Sequence, residues 1–197
     1  DTVVLQSTAG TISRASLIEV RFKQPMVDTD KVGTPIEESI FTLTPEVKGM
    51  AYWGTTDTLQ FKPNVPLDSN QNYQVKVDLR AYTGAGGEEI FRFNFKVMPP
   101  SFDVSFQGFH TDESNSNEQR FKGRLTTADM ALPTAVEAVL SANQEGRALE
   151  IEWQHNAQQT LHEFQVLGIE RGTKDSTLTI EWDGQSIDVD MKSKRDF

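Results

Sequence analysis

The stretch from Trp53 to Leu79 constrains the fold more than any other part of the chain. Leu59 and Phe61 alternate with Thr58, Gln60 and Lys62, and Tyr73, Val75, Val77 and Leu79 alternate with Gln74, Lys76 and Asp78. A period of two puts one side of an extended chain in a core and the other in water. The spacing therefore predicts two strands, each with one buried face. Between them lie Pro63, Pro66 and the run Asp68-Ser69-Asn70. Proline fixes φ and offers no N–H to a ladder, so this segment predicts a loop. Tyr73 stands at the mouth of the second strand, where sandwich domains place a tyrosine whose hydroxyl ties the loop back to the strand.

The rest of the first half repeats the pattern. Val3 to Leu5 read as a first strand, Ala9-Gly10-Thr11 as a turn, and Ile18, Val20 and Phe22 as an inward face. Val27 to Glu38 is a polar connection, Phe41 and Leu43 start a strand stopped by Pro45, and Val47 to Trp53 forms another. Tyr82 to Gly87 reads as a glycine turn, after which Phe91, Phe93, Phe95 and Val97 alternate again. About seven short strands at this spacing predict an immunoglobulin-like sandwich. Met98-Pro99-Pro100-Ser101 follows. Two prolines cannot continue a central strand and favour a stiff extended geometry, which sets a domain boundary there.

In the second half Phe102, Val104 and Phe106 alternate, Thr111 to Glu118 is a polar loop, and Phe121 to Leu125 returns as a strand. Pro133, with Thr134 and Glu137 at capping-box spacing and Val136, Val139 and Leu140 on one face, predicts a short helix over 133–143. Leu149, Ile151 and Trp153 read as one strand and Phe164 and Val166 as the next. Leu178, Ile180 and Trp182 then lead into Asp183-Gly184, a tight-hairpin signal, from which Ile187, Val189 and Met191 return. The expected fold class is all-β, with two tandem antiparallel β-sandwich domains. Residues 1–98 form the first, 99–101 a Pro-rich linker, and 102–197 the second, which carries the short helix.

The chain has 197 residues, a net charge of −10 and no cysteine. Disulfides, thiolate ligands and cysteine nucleophiles are excluded. Nucleic acid and anionic membrane surfaces are unsuitable partners, because binding them needs a basic face that releases counterions. The longest basic cluster is Lys192-Ser193-Lys194-Arg195, expected to lie at a frayed end. No apolar run approaches the roughly 20 residues of a membrane span. A start at Asp1 without initiator Met reads as a mature or excised fragment.

Residue types that could carry chemistry each have a structural alternative. His155 and His162 flank a hairpin-turn sequence, Asn156 to Thr160, and with Glu163 they have the donor types of a zinc site. Surface hairpin residues are the favoured reading, since zinc takes three or four placed ligands. Asp183, Asp188 and Asp190 offer oxygens for calcium, without the alternating acidic loop and closing Glu of an EF-hand, and Asp28-Thr29-Asp30 is weaker. Gly84-Ala85-Gly86-Gly87 lacks the Lys-Ser/Thr of a phosphate loop. Glu88-Glu89, Glu150/Glu152 and Glu181/Asp183 are carboxylate pairs, the last two on solvated faces. Trp53, Trp153 and Trp182 could stack on sugars, but sit in apolar alternations that make them core or interdomain anchors. No catalytic residue, cofactor-binding residue or metal ligand is assigned.

Several runs do resemble a family. Thr11-Ile12-Ser13-Arg14, Ile18-Glu19-Val20-Arg21-Phe22, Val32-Gly33-Thr34-Pro35 and Leu59-Gln60-Phe61-Lys62-Pro63 are similar to the bacterial Ig-like domain that opens large alpha-2-macroglobulin-like proteins of Bacteroidetes-type bacteria. Gly123 to Asp129, Ile151 to His155, Phe164 to Gly172 and Leu178 to Gly184 resemble the macroglobulin-type domain that follows it. The resemblance implies a secreted or periplasmic, often lipid-anchored protein that entraps proteases. The chain, lacking cysteine, cannot hold that family's Cys–Gln thioester. The implied role is a non-catalytic scaffold at the N-terminus of the protease inhibitor. Its partners would be the other domains of the parent chain and, through the full-length protein, target proteases. The alternative is a stand-alone cell-surface tandem that binds glycans or proteins as an adhesin does.

Overall fold

The structure, a computed structural model, describes residues 3–37, 39–83, 90–111, 115, 117–172 and 175–197. The chain divides into two compact units, Asp1–Met98 and Pro99–Phe197. Both are β-sandwiches, and the all-β class with one α-helix read from the sequence is the class observed.

The first unit contains β1 (Val4–Ser7), β2 (Thr11–Ile12), β3 (Ile18–Phe22), β4 (Pro35–Ile36), β5 (Phe41–Thr44), β6 (Gly49–Thr55), β7 (Thr58–Pro63), β8 (Asn72–Asp78) and β9 (Ile90–Val97). They form one sheet in the order β1-β3-β7-β6-β4 and a second in the order β2-β9-β8-β5. With β1-β3-β7-β6 facing β5-β8-β9, this is the ABED and CFG division of an Ig-like sandwich. The first strand is split between the sheets. Gly10, at φ +71°, turns the chain from β1 to β2 through a conformation that side-chain-bearing residues rarely adopt. β2 then pairs parallel with β9, Thr11 opposite Lys96 and Ile12 opposite Val97. The connection from Val27 holds a 3-10 turn at Thr29–Lys31 and the short edge strand β4, which pairs with β6. Gly84 to Glu89 lie outside the described residues, so the expected glycine turn and Glu88-Glu89 do too.

The alternating residues fill the core as their period requires. Ile18, Val20, Leu59, Val77 and Leu79 are fully buried, as are Phe22, Trp53 and Tyr73 to within 2%. Each such side chain contributes roughly 1.5–3 kcal/mol by leaving water. Tyr73 is the corner residue: its hydroxyl accepts from the Asp68 N–H at 3.2 Å, and its ring stacks on Phe95. The loop with Pro63 and Pro66 is thereby tied to the start of β8.

The second unit contains β10 (Phe102–Thr111), β11 (Glu118–Thr127), α1 (Pro133–Glu137), β12 (Leu140–Gln144), β13 (Arg147–Leu149), β14 (Ile151–His155), β15 (Leu161–Glu170), β16 (Leu178–Asp183) and β17 (Lys192–Asp196). One sheet has the order β10-β11-β15-β14 and the other β13-β12-β16-β17, with antiparallel neighbours. Gly123, in the middle of β11, leaves room for the Phe164 ring that lies over it.

Five local expectations differ from the structure. The helix ends at Glu137 instead of running to residue 143, because Leu140, Ala142 and Gln144 turn inward as strand β12 between β13 and β16. Its N-cap is Leu132 with Pro133 as the first helical residue, so Thr134 and Glu137 form no capping box. Leu149 and Ile151 belong to different sheets, the chain crossing between them at Glu150. After Asp183 comes a 3-10 turn, Gly184–Ile187, closed by Asp188 at φ +60°. The strand that returns along β16 is the basic run at Lys192–Asp196, paired instead of frayed. Ile187 is spent in the core before that strand begins.

Candidate functional site

The histidines of the second unit are brought together by a hairpin. β14 and β15 pair with His155 opposite His162, and the turn between them is built by Asn156. The Asn156 side-chain carbonyl accepts from the N–H groups of Thr160 and Leu161 at 2.9 and 3.1 Å. The turn is pinned to the chain that leaves β11, where Thr127 N–H donates to the Thr160 carbonyl and Ala131 N–H to that of Gln159. His162 follows the inward alternation of Phe164 and Val166 and is 0% exposed. The favoured reading of both histidines as surface residues is therefore corrected for His162.

Within the hairpin the two rings meet edge to face, with Nδ1 to Nδ1 at 2.7 Å. On its other side His155 Nε2 lies 3.2 Å from Oε1 of Glu137, at the end of α1. A carboxylate oxygen accepts, so this Nε2 carries the hydrogen. A neutral His155 then presents its Nδ1 lone pair, and the Nδ1–H of His162 donates to it. Trp153 stacks on His155 with rings 6.0 Å apart and 6° from parallel. His162 Nε2 and Thr127 Oγ1 are both buried and have no hydrogen-bond partner among the described residues. Burial lowers the pKa of His162, the adjacent His155 lowers it further, and the Gln159 backbone carbonyl acts in the opposite direction.

This cluster is a chain of hydrogen bonds and not a ligand set. Glu137 and His162 bind opposite nitrogens of the His155 ring, so the donors do not converge. Glu163, the expected third zinc donor, points to the outer face and accepts from Arg124 Nε at 3.0 Å. No group of three or more His, Asp or Glu placed for a metal occurs among the described residues. Asp183 is held at one oxygen by Lys192 Nζ at 2.6 Å and at the other by the Gln185 N–H at 3.1 Å, and both keep its pKa low. Asp188 and Asp190 are exposed on either side of Val189, and Asp28 is the N-cap residue of the first 3-10 turn while Asp30 lies within it. Glu150 and Glu152 are exposed, one between the sheets and one on β14. Glu181 is likewise exposed, on β16.

The outer face of sheet β10-β11-β15-β14 is a shallow concavity of about 630 Å³. Arg124, Glu163 and Gln154 make one cross-strand row, and Lys122, Gln165 and Glu152 the next. Its floor is polar and carries both signs of charge. Trp53 is buried, while Trp153 and Trp182 are half-buried against the second core, so the three form no shared stacking face within either unit. Two polar residues escaped the sequence reading. Glu137 reads from the sequence as part of a helix start, and Gln144 lies just past the expected helix with no role given to it. Gln144 is buried and exchanges hydrogen bonds with both the N–H and the C=O of Glu170, each at 3.0 Å, acting as a side-chain rung between the two sheets.

No protein-family profile matches the chain, and no curated protein does. Among solved structures it is similar to L,D-transpeptidase 3 from Mycobacterium tuberculosis in complex with a faropenem-derived adduct. That likeness has 15% identity and a TM-score of 0.33, covering 75% of this chain and 65% of that one. An L,D-transpeptidase from Mycobacterium tuberculosis H37Rv gives 14% identity and the same TM-score of 0.33, with 77% and 65% covered. The chain thus spans about two thirds of the length of these structures, and a likeness this low carries no functional argument.

Proposed function

We propose that the chain is a non-catalytic scaffold and interaction module of a large alpha-2-macroglobulin-like, protease-trapping protein. It would act outside the cytoplasm, in the periplasm or at the cell surface, with a lipid anchor upstream. The support is the way its reactive residue types are occupied. Trp53 fills one core and Trp153 and Trp182 lie against the other. His162 is bound to His155, and Asp57, Asp78 and Asp183 are tied to cations or hydroxyls beside them. The runs that carry the family resemblance fall largely on core strands: β2, β3 and β7 in the first unit, and β11, β14, β15 and β16 in the second. A module built this way works by holding neighbouring domains in place.

The test uses the full-length parent and a version lacking residues 1–197. The intact parent, incubated with a panel of endoproteases, should leave hydrolysis of a small chromogenic peptide intact while blocking digestion of a protein substrate. The truncated parent should lose that shielding, and the isolated chain should neither inhibit nor shield. A parent that shields no protease in the panel would sink the reading. The polar concavity over β11 and β15 favours one second reading, a cell-surface tandem that binds glycans or proteins, and retention of the isolated chain on a glycan array would support it.

A further inference from the structure

We propose that Glu137, His155 and His162 form an acid-released latch that holds α1 and the edge strand β14 onto the second sandwich. The space between the two rings limits how many hydrogens they can hold. At 2.7 Å between the two Nδ1 atoms, one hydrogen fits and two do not. The neutral pair uses the Nδ1–H of His162 for this bond and the Nε2–H of His155 for Glu137. One further proton enters at Nε2 of His162 while the shared hydrogen passes to Nδ1 of His155, so the charge sits on the His155 ring beside the Glu137 carboxylate. A second further proton would need the remaining Nδ1 lone pair, which already faces a hydrogen, so the rings must separate. The closed latch thus holds at most one extra proton, and the open one holds two.

The cluster adds a side-chain link to pieces otherwise joined by the β14–β15 ladder and, for α1, by buried Val136 and the Ser186 hydroxyl on the Ala135 carbonyl. β14 is the edge of its sheet, with β15 on one side only. α1 is five residues long and has no side-chain cap. The packed elements bring few other charges to the rings. Glu137 comes from α1. Asp129, in the connection that follows β11, accepts from the Met130 N–H. Glu163 and Arg124, from β15 and β11, pair on the opposite face. Beyond α1, the 3-10 turn is bounded by Asp183, held by Lys192, and by Asp188. The inward residues of β11 beside His162, Leu125 and Thr127, carry no charge.

The pH window follows from the difference in bound protons. The folded His162 binds its proton more weakly than an ordinary histidine. The latch therefore contributes fully above the unfolded value of about 6.5 and is lost as the pH falls below it. With one more proton in the open form, the open-to-closed ratio should rise by up to tenfold for each pH unit below about 6. Trp153, stacked on His155, loses that neighbour on opening.

Hydrogen exchange of the 197-residue chain, corrected for intrinsic rates, tests this between pH 7.5 and 5.0. Amides of β14 and α1 should lose protection by up to tenfold per pH unit below about 6, while those of β12 and β16 and of β3 and β7 keep theirs. The double variant His155→Gln/His162→Gln should exchange at one corrected rate across the range. Two outcomes overturn the proposal: protection of β14 that does not change with pH in the native chain, or an unchanged pH dependence in the double variant. Should that variant fail to fold, the native profile decides alone.

Discussion

Replacing Tyr73 by Phe isolates one hydrogen bond at the corner of the first sandwich. The ring is 1% exposed and stacks on Phe95 with centroids 5.4 Å apart, so Phe retains the packing and deletes only the hydroxyl. The lost partner is the Asp68 N–H, 3.2 Å away. Asp68 is exposed, so water can reach the freed donor, and the cost is the net worth of one hydrogen bond, about 1 kcal/mol, near the lower end for an orphaned group. In a unit of about 100 residues, 1 kcal/mol lowers Tm by roughly 4–8 °C. It also lowers the protection of the slowest amides in β3, β7 and β8 about fivefold. Tyr73→Ala, which also removes the ring, should cost roughly 3–5 kcal/mol. The phenol supplies a second reading. Burial is the main reason its pKa lies above 10.0, so the folded unit keeps the proton longer than the unfolded chain. That contribution is complete below about pH 10 and disappears as pH rises past it, and the Phe variant should lack it. A Phe variant with native protection and a native alkaline profile would refute the corner role.

Gly123→Ala should destabilise the second unit by roughly 1–3 kcal/mol, because the new methyl would press into the Phe164 ring and lie 2.7 Å from the Ser105 carbonyl. A lowered urea midpoint at constant slope is the expected result. Gln144→Leu keeps the volume but strands both polar groups of Glu170. It should cost roughly 1–3 kcal/mol for each group that water cannot reach, with exchange at the end of β15 rising first. Asp57 is held at about 2 by the Thr55 hydroxyl first and then by Arg21 and Thr58. Its stabilising effect on the β6–β7 turn is present above about pH 4 and lost as pH falls toward 2. A carboxyl-carbon NMR titration with its midpoint near 4 would contradict the contacts.

Burial set by strand period was legible in the sequence wherever neighbouring residues decide it. Leu59 and Phe61, and Tyr73 through Leu79, needed only their own alternation and the prolines between them. The corner hydrogen bond was legible too, because Tyr73 and Asp68 lie five residues apart. What could not be read depends on partners distant in the chain. Val136, Val139 and Leu140 have helical spacing, yet Leu140, Ala142 and Gln144 also have strand spacing. β16 settles the ambiguity by pairing with them, and a buried glutamine conceals the alternation. Ile187, Val189 and Met191 have the period of a strand, but Asp188 takes a left-handed turn that prevents them from forming one. The basic residues after them form β17 because an edge strand may face water on most sides. The histidine pair was anticipated as a hairpin contact. Its burial and its link to Glu137 were not, since nothing in local spacing says that α1 comes back over that hairpin.

The parallel contact of β2 with β9 has a mechanical consequence. Its first strand enters and its last strand leaves in the same direction, so the two ends of the first unit point opposite ways along this pair. A pull on both ends would load the bonds from the Lys96 N–H to the Gly10 carbonyl and from the Met98 N–H to the Ile12 carbonyl together, in shear, instead of peeling them in turn. A unit strung under tension between neighbours would therefore yield last where its own beginning and end are joined.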